Sequence, residues 1–231
     1  MNDDSKRRLP SPPHNPGLRD LVAAKHAWSA PIDEAHARSD FRGWHGRGYL
    51  PHRDAPGLTQ FVTFRLADSF PAALRSEWEA LLKVDEDREQ RRQVEAYLDG
   101  GRGECLLRCA EVAAVVESAF RFFHNQRYEL LAWVIMPNHV QVLFKVVETS
   151  MSAIIESWKK FTAHEVNKLL HRSGKFWAED YWDTYMRSSV HEAQAVRYIE
   201  SNPVKAKLVR EPKDWSWSSA KLRDEFGRLQ V

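Results

Sequence analysis

The chain has 231 residues, 43% hydrophobic and 29% charged, which excludes a disordered or collagen-like polymer and allows one good-sized domain with a substantial core. Thirty-four Lys and Arg against 32 Asp and Glu leave a net charge of +2, so any nucleic-acid surface must be a local patch. Nine Trp, eleven Phe and six Tyr are more aromatic surface than a core of this size needs, which leaves rings to face a ligand that stacks. No stretch approaches the ~20 apolar residues of a membrane span. Cys105 and Cys109 form no disulfide framework, and a reduced, cytoplasmic protein is the simplest expectation.

Residues 1–40 are polar and punctuated by proline, and are expected as a flexible tail with at most a short helix near 19–28. Gly43-Trp44-His45-Gly46-Arg47-Gly48-Tyr49-Leu50-Pro51-His52 reads as a glycine-broken loop dressed with aromatics and cations. Residues 60–66, β-branched and aromatic, predict the first strand. Leu74, Trp78, Leu81 and Leu82 predict a helix over 71–83, and the charged stretch 85–93 an exposed extension with no assigned function.

Val112, Val115, Val116, Ala119, Phe120 and Phe123 predict a helix over 110–124. Residues 128–135 are an apolar run of strand length, broken by the turn chemistry of Met136-Pro137-Asn138, and 139–145 follow as another strand. Ile154, Trp158, Phe161 and Leu169 predict a helix over 152–171, and 181–188 holds a short strand. Ser189-Val190-His191-Glu192 is a capping box opening a last helix, which Pro203 is expected to stop.

The order is that of an α+β, ferredoxin-like β-α-β-β-α-β fold: an antiparallel sheet with helices on one face and an added C-terminal helix. The other sheet face needs cover, or holds a ligand. Residues 41–220 form the expected domain, and 221–231 a C-terminal tail.

Strand side chains alternate, so His139 and Gln141 point the same way, just after a Pro-Asn turn. Two such groups can grip one metal ion together; an exposed polar strand face has the same pattern. In the last helix Ala195, Val196 and Ile199 share an apolar sector, and Gln194, Tyr198 and Asn202, at i, i+4 and i+8, share a second face away from it. That face can set a hydroxyl beside a metal ligand, or simply a half-buried Tyr beside a helix-capping Asn.

Met136-Pro137-Asn138-His139-Val140-Gln141-Val142-Leu143 resembles the metal-binding strand of the single-tyrosine HUH transposases. Val196-Arg197-Tyr198-Ile199-Glu200-Ser201-Asn202-Pro203-Val204-Lys205-Ala206 resembles the catalytic helix of their REP-associated branch. Residues 43–52, 61–70 and Asp214-Trp215-Ser216-Trp217-Ser218-Ser219 are also similar to that branch, and the chain is identified as a member of the REP-associated tyrosine transposase family.

The resemblance implies a single-strand DNA endonuclease and strand transferase acting at palindromic-repeat hairpins. Tyr198 would be the nucleophile, giving a 5′-phosphotyrosine intermediate. His139, Gln141 and Asn202 would hold Mg²⁺ or Mn²⁺. The family pattern is His-hydrophobic-His, and Gln141 stands where it has the second His. A glutamine oxygen suits a hard cation but lacks charge. The alternative is a catalytically weak or inactive, domesticated hairpin-binding protein of the same fold.

Expected DNA contacts are Arg47, Lys159, Lys160, Lys175, Arg187, Arg197 and Lys205 to phosphates, with Trp177 or Tyr181 stacking on unpaired bases. Each lysine taken alone is better described as a solvated surface residue. The expected partner is single-stranded or hairpin DNA, with no membrane, and the chain a monomer or homodimer.

Overall fold

The computed structural model describes residues 41–46, 51–70, 97–98, 100–179 and 181–231. The expected tail over 1–40, the helices near 19–28 and over 71–83, the charged stretch 85–93 and the side chains of Arg47 and Tyr49 lie outside the described residues.

Two short strands, β1 (Gly43–Gly46) and β2 (Pro51–Asp54), pair antiparallel, with Gly43 opposite Asp54 and Gly46 opposite Pro51. The stretch expected as a loop therefore has paired arms. The main sheet contains β3 (Thr59–Arg65), β4 (Tyr128–Ile135), β5 (His139–Val146) and β6 (Trp182–Tyr185), in the spatial order β4-β5-β3-β6 and antiparallel throughout. Helix α1 (Ala110–Phe122) joins β3 to β4 and α2 (Met151–Leu169) joins β5 to β6, so the chain follows the expected β-α-β-β-α-β order.

Helix α1 buries Val112, Ala113, Val116, Ala119 and Phe120, a stripe at helical spacing. The first turn of α2 is capped twice: Ser150 accepts from the Ala153 N–H, and Asp54 Oδ1 accepts from the Met151 N–H at 3.1 Å. Its buried stripe is Met151, Ile154, Ile155, Trp158, Thr162 and Val166. Phe161 and Leu169, expected on that stripe, are 50% and 43% exposed. They sit three residues after Trp158 and Val166 but on the outer shoulder of the helix, where none of the described elements covers them.

The aromatic surplus is largely structural. Phe64, Phe120, Tyr128, Phe144, Trp158 and Trp177 meet edge to face in the core between the sheet and α1 and α2. Their polar tips are satisfied inside: Trp158 Nε1 donates to Tyr128 Oη at 2.9 Å, and Tyr128 Oη to the Phe120 carbonyl at 2.9 Å.

The second face of the sheet is covered by α3 (Ser189–Lys205), through a separate cluster of Ala132, Val134, Met136, Leu143, Met186, Ala195 and Ile199. Helices thus lie on both faces, which explains why β4 reads as a nearly continuous apolar run and why every residue of β5 but Lys145 is buried. Pro203 does not stop α3. Its missing N–H forgoes a single helix bond, to the Ile199 carbonyl, and the helix continues to Lys205, with the Ala206 N–H donating to the Asn202 carbonyl at 2.9 Å. The N-cap is Ser188, one residue earlier than expected, and it accepts from the His191 N–H. Glu192 instead accepts the Thr59 hydroxyl at 2.9 Å, pinning the helix start to β3.

Strand β4 lies at the sheet edge, and the segment after α3 closes it. Ile135 N–H donates to the Trp217 carbonyl at 2.9 Å, Trp133 N–H to Ser219 Oγ at 3.0 Å, and Trp215 Nε1 to the Ile135 carbonyl at 3.0 Å. Residues 221–231, expected as a tail, are tied down as well. Arg223 reaches the buried Glu200 of α3 at 2.7 Å and the Leu131 carbonyl of β4 at 2.8 Å. Among the described residues no helix is long and apolar enough to cross a membrane.

Candidate functional site

On β5, Val140, Val142, Phe144 and Val146 enter the core beneath α1 and α2, so His139, Gln141 and Leu143 face α3. His139 is 1% exposed and Gln141 fully buried, which overturns the simple reading of an exposed polar strand face. Across the sheet, Arg65 lies opposite His139, Thr63 opposite Gln141 and Phe61 opposite Leu143.

Helix α3 brings Asn202 onto the same ground. The residue was expected on a face away from the apolar sector, yet it is 1% exposed. The rotation explains this: three residues beyond Ile199, Asn202 lies only about 60° round the helix from it, between the helix underside and Tyr198. Its Nδ2 donates to Gln141 Oε1 at 3.0 Å. The other two amide atoms, Gln141 Nε2 and Asn202 Oδ1, are buried without a hydrogen-bond partner among the described residues. Gln194, the third member of the expected face, is exposed.

His139 Nδ1 lies 2.9 Å from Asn138 Oδ1. Burial drives the imidazole pKa down from 6.5 to about 3, so the ring is neutral at ordinary pH. Tyr198 is half-buried one turn before Asn202. Its ring meets Phe61 edge-on, centroids 6.0 Å apart, and Lys205 Nζ lies 3.8 Å from its centroid. Tyr198 and Asn202 therefore stand over two successive rungs of the sheet, Phe61–Leu143 and Thr63–Gln141, with His139 one rung further along. Successive rungs on one face are about 7 Å apart.

Sequence reasoning missed three contributors to this arrangement, Asn138, Phe61 beneath the tyrosine and the Glu200–Arg223 pair that anchors the helix, and it named Lys205 as a phosphate contact without its place over the tyrosine ring. Asn138 alone carried a local signal, as the turn residue preceding His139.

Among the described residues no three His, Cys, Asp or Glu side chains cluster as a metal site. The donors at hand are neutral: one imidazole and two amides. Two amide oxygens, one of them buried without a partner, and an imidazole nitrogen form a donor set that fits a hard divalent cation, provided Gln141 Oε1 exchanges its Asn202 donor for the ion.

The remaining expected contacts divide. Lys160 and Lys175 are exposed and pair with Glu156 and Glu179, and Lys159 donates to the Glu179 carbonyl at 2.7 Å. Arg187, Arg197 and Lys205 are exposed. Trp177 is core: it is 5% exposed, packs on Phe64 and Phe176, and donates from Nε1 to Thr162 Oγ1 at 2.8 Å. Tyr181 is buried beside it in the same cluster. Neither ring offers a free face to a base, because the bridge between Leu66 and Trp177 draws this segment onto the sheet.

Residues 109–202 match the family model described as Transposase IS200 like, an interval containing His139, Gln141, Tyr198 and Asn202. A REP-associated tyrosine transposase of Escherichia coli (strain K12) is 26% identical over 97 residues, which are 41% of this chain and 56% of that relative. The match thus spans little more than half the relative's length. Among solved structures, a REP-associated tyrosine transposase bound to a REP hairpin aligns at TM-score 0.45 and 20% identity, covering 76% of this chain and 81% of that one. A crystal structure of a proposed transposase from Deinococcus radiodurans R1 aligns at TM-score 0.37 and 18% identity, covering 68% and 96%.

Proposed function

From the similarity of residues 109–202 to the IS200-like transposases, we propose that the chain is a cytoplasmic single-strand DNA endonuclease and strand transferase acting at palindromic-repeat hairpins, with Mg²⁺ or Mn²⁺ as cofactor. The observation that carries this reading is the Asn202–Gln141 hydrogen bond at 3.0 Å, which unites the two segments that resemble the family's metal strand and catalytic helix, with Tyr198 one turn away.

In this reading Tyr198 Oη attacks the phosphorus of a single-stranded phosphodiester. The new O–P bond forms as the P–O3′ bond breaks, leaving a 5′-phosphotyrosine and a free 3′-OH, and the proton given up by the phenol is balanced by the one the 3′ oxygen gains. The link conserves the phosphodiester, so a 3′-OH can later attack it and rejoin strands. Tyrosine's ordinary pKa is ~10, and the Lys205 ammonium 3.8 Å from the ring centre supplies positive charge beside the developing phenolate. His139, through Nε2, and the amide oxygens of Gln141 and Asn202 would hold the cation. The chemistry a divalent ion would supply there is polarisation of a non-bridging phosphate oxygen and compensation of charge developing at phosphorus. Phe61 supports the tyrosine ring from below. Arg47, Lys159, Lys160, Lys175, Arg187, Arg197 and Lys205 meet the DNA phosphates; Trp177 is withdrawn from the set.

A second reading, hairpin binding without cutting, is favoured by one observation: Gln141 Oε1 already accepts from Asn202, and none of the three ligands is charged. The experiment uses end-labelled single-stranded DNA carrying a palindromic repeat, with Mg²⁺ or Mn²⁺, and the native chain beside Tyr198→Phe and Gln141→His. A denaturation-resistant protein–DNA adduct with the native chain and none with Tyr198→Phe is the expected result. Binding without any adduct, restored by Gln141→His, establishes the second reading.

A further inference from the structure

We propose that Asn138 is the positioning residue of this site: its buried amide holds the His139 ring in the Nδ1–H form, so that the lone pair sits on Nε2. That the lone pair serves a cation rests on the functional reading above; the hydrogen-bonding argument does not.

The argument needs only donors and acceptors. Asn138 is fully buried and held on several sides. Its carbonyl accepts from the Leu66 N–H at 2.8 Å, and the flanking turn is closed by Met136 N–H to the His139 carbonyl at 2.8 Å and Leu107 N–H to the Pro137 carbonyl at 3.2 Å. Its side-chain Nδ2 donates to the Arg102 carbonyl at 3.0 Å. A backbone carbonyl can only accept, so the NH₂ end of the amide must face Arg102 and the oxygen must face the imidazole. That oxygen, 2.9 Å from His139 Nδ1, can also only accept, so Nδ1 must carry a proton. A neutral imidazole has one N–H, and Nε2 is left as the acceptor. Histidine ligands are commonly fixed in this way by a partner on the second nitrogen. Here the partner is the preceding residue, wired to the backbone of the connection before α1.

The test reads the tautomer first, in the metal-free protein. Long-range proton–nitrogen correlation on ¹⁵N-histidine protein, with His139→Gln to identify the signals, should show a pyrrole-like Nδ1 and a pyridine-like Nε2 at His139. Asn138→Asp keeps an acceptor oxygen for Nδ1–H and should keep that pattern. Asn138→Leu should lose it, and should weaken Mn²⁺ binding ~10–100-fold, followed by the paramagnetic signal of free Mn²⁺. An Nε2–H form in the native protein overturns the proposal, and this result stands even if Asn138→Leu fails to fold. So does an Asn138→Leu protein with unchanged tautomer and Mn²⁺ affinity. An Nδ1–H form in a native protein whose His139 signals are untouched by Mn²⁺ supports the positioning role while removing the cation from the functional reading.

Discussion

Asn202 Nδ2 donates to Gln141 Oε1 at 3.0 Å across 61 residues of chain, joining the last turns of α3 to the strand that carries His139. Both side chains are buried, so the bond is a structural tie as well as a candidate ligand pair. Asn202→Leu would leave the Gln141 amide without a partner among the described residues and should cost about 1–3 kcal/mol of stability. The double variant Gln141→Leu with Asn202→Leu removes both polar partners and should cost clearly less than the sum of the two single changes. Urea denaturation of the four proteins reads this directly, and simple additivity would count against the tie.

The buried His139 predicts an acid limb in stability. Its folded pKa is lowered from 6.5 to about 3, so between those values the unfolded chain binds this proton and the folded chain does not. Stability therefore falls as pH falls through that window, with a slope of up to about 1.4 kcal/mol per pH unit from this group. His139→Gln should flatten that limb in denaturation midpoints measured across the window. An acid limb equally steep in the variant would assign it to other groups.

Trp177 and Lys175, two residues apart, should behave oppositely. Trp177→Ala opens a cavity in the core and strips Thr162 of a donor, and should destabilise the fold by about 3–5 kcal/mol. Lys175→Ala should change stability by no more than about 0.5 kcal/mol. If its ammonium meets a phosphate, hairpin affinity falls and the salt slope of binding drops by about 1. Calorimetric melting and hairpin titration at several salt concentrations separate the two; a stable Trp177→Ala protein with weakened hairpin binding would return that ring to the DNA surface.

Arg223 should matter to a site it does not touch. Its guanidinium holds Glu200 at 2.7 Å and also donates to the carbonyls of Leu131 and Gly227. Arg223→Gln leaves a nearly buried carboxylate short of its charge partner, at a cost of about 3 kcal/mol. Because Glu200 lies between Tyr198 and Asn202 on α3, adduct formation should fall with it, and Glu200→Gln in the same chain should restore part of the stability. Thermal melts that leave Arg223→Gln indistinguishable from native would show the anchor to be dispensable.

The element order was legible because it is written in local periodicity. The β-branched run of β3, the apolar run of β4 and the alternation of β5 on either side of Met136-Pro137-Asn138, and the stripes of α1 and α2 each announce themselves within a few residues. His139, Gln141, Tyr198 and Asn202 were singled out by resemblance, and their roles stand as the proposal above. Phe161 and Leu169 were misplaced because periodicity places a side chain on a helix face without saying how wide the neighbouring element is. Trp177 was misplaced because its surroundings come from Phe64 and Thr162, over a hundred residues and fifteen residues away in sequence.

The amino-acid sequence by itself determined the α+β order of strands and helices and the side on which His139 and Gln141 leave their strand. Only the tertiary structure decided that this side is buried, that α3 lies against it with Asn202 turned inward, and that Asn138 holds the imidazole. Alternation and helical rotation are properties of the backbone within one element. Burial, hydrogen-bond partners and tautomer depend on which distant element packs against it, and that is settled only when the sheet closes and α3 docks on its second face.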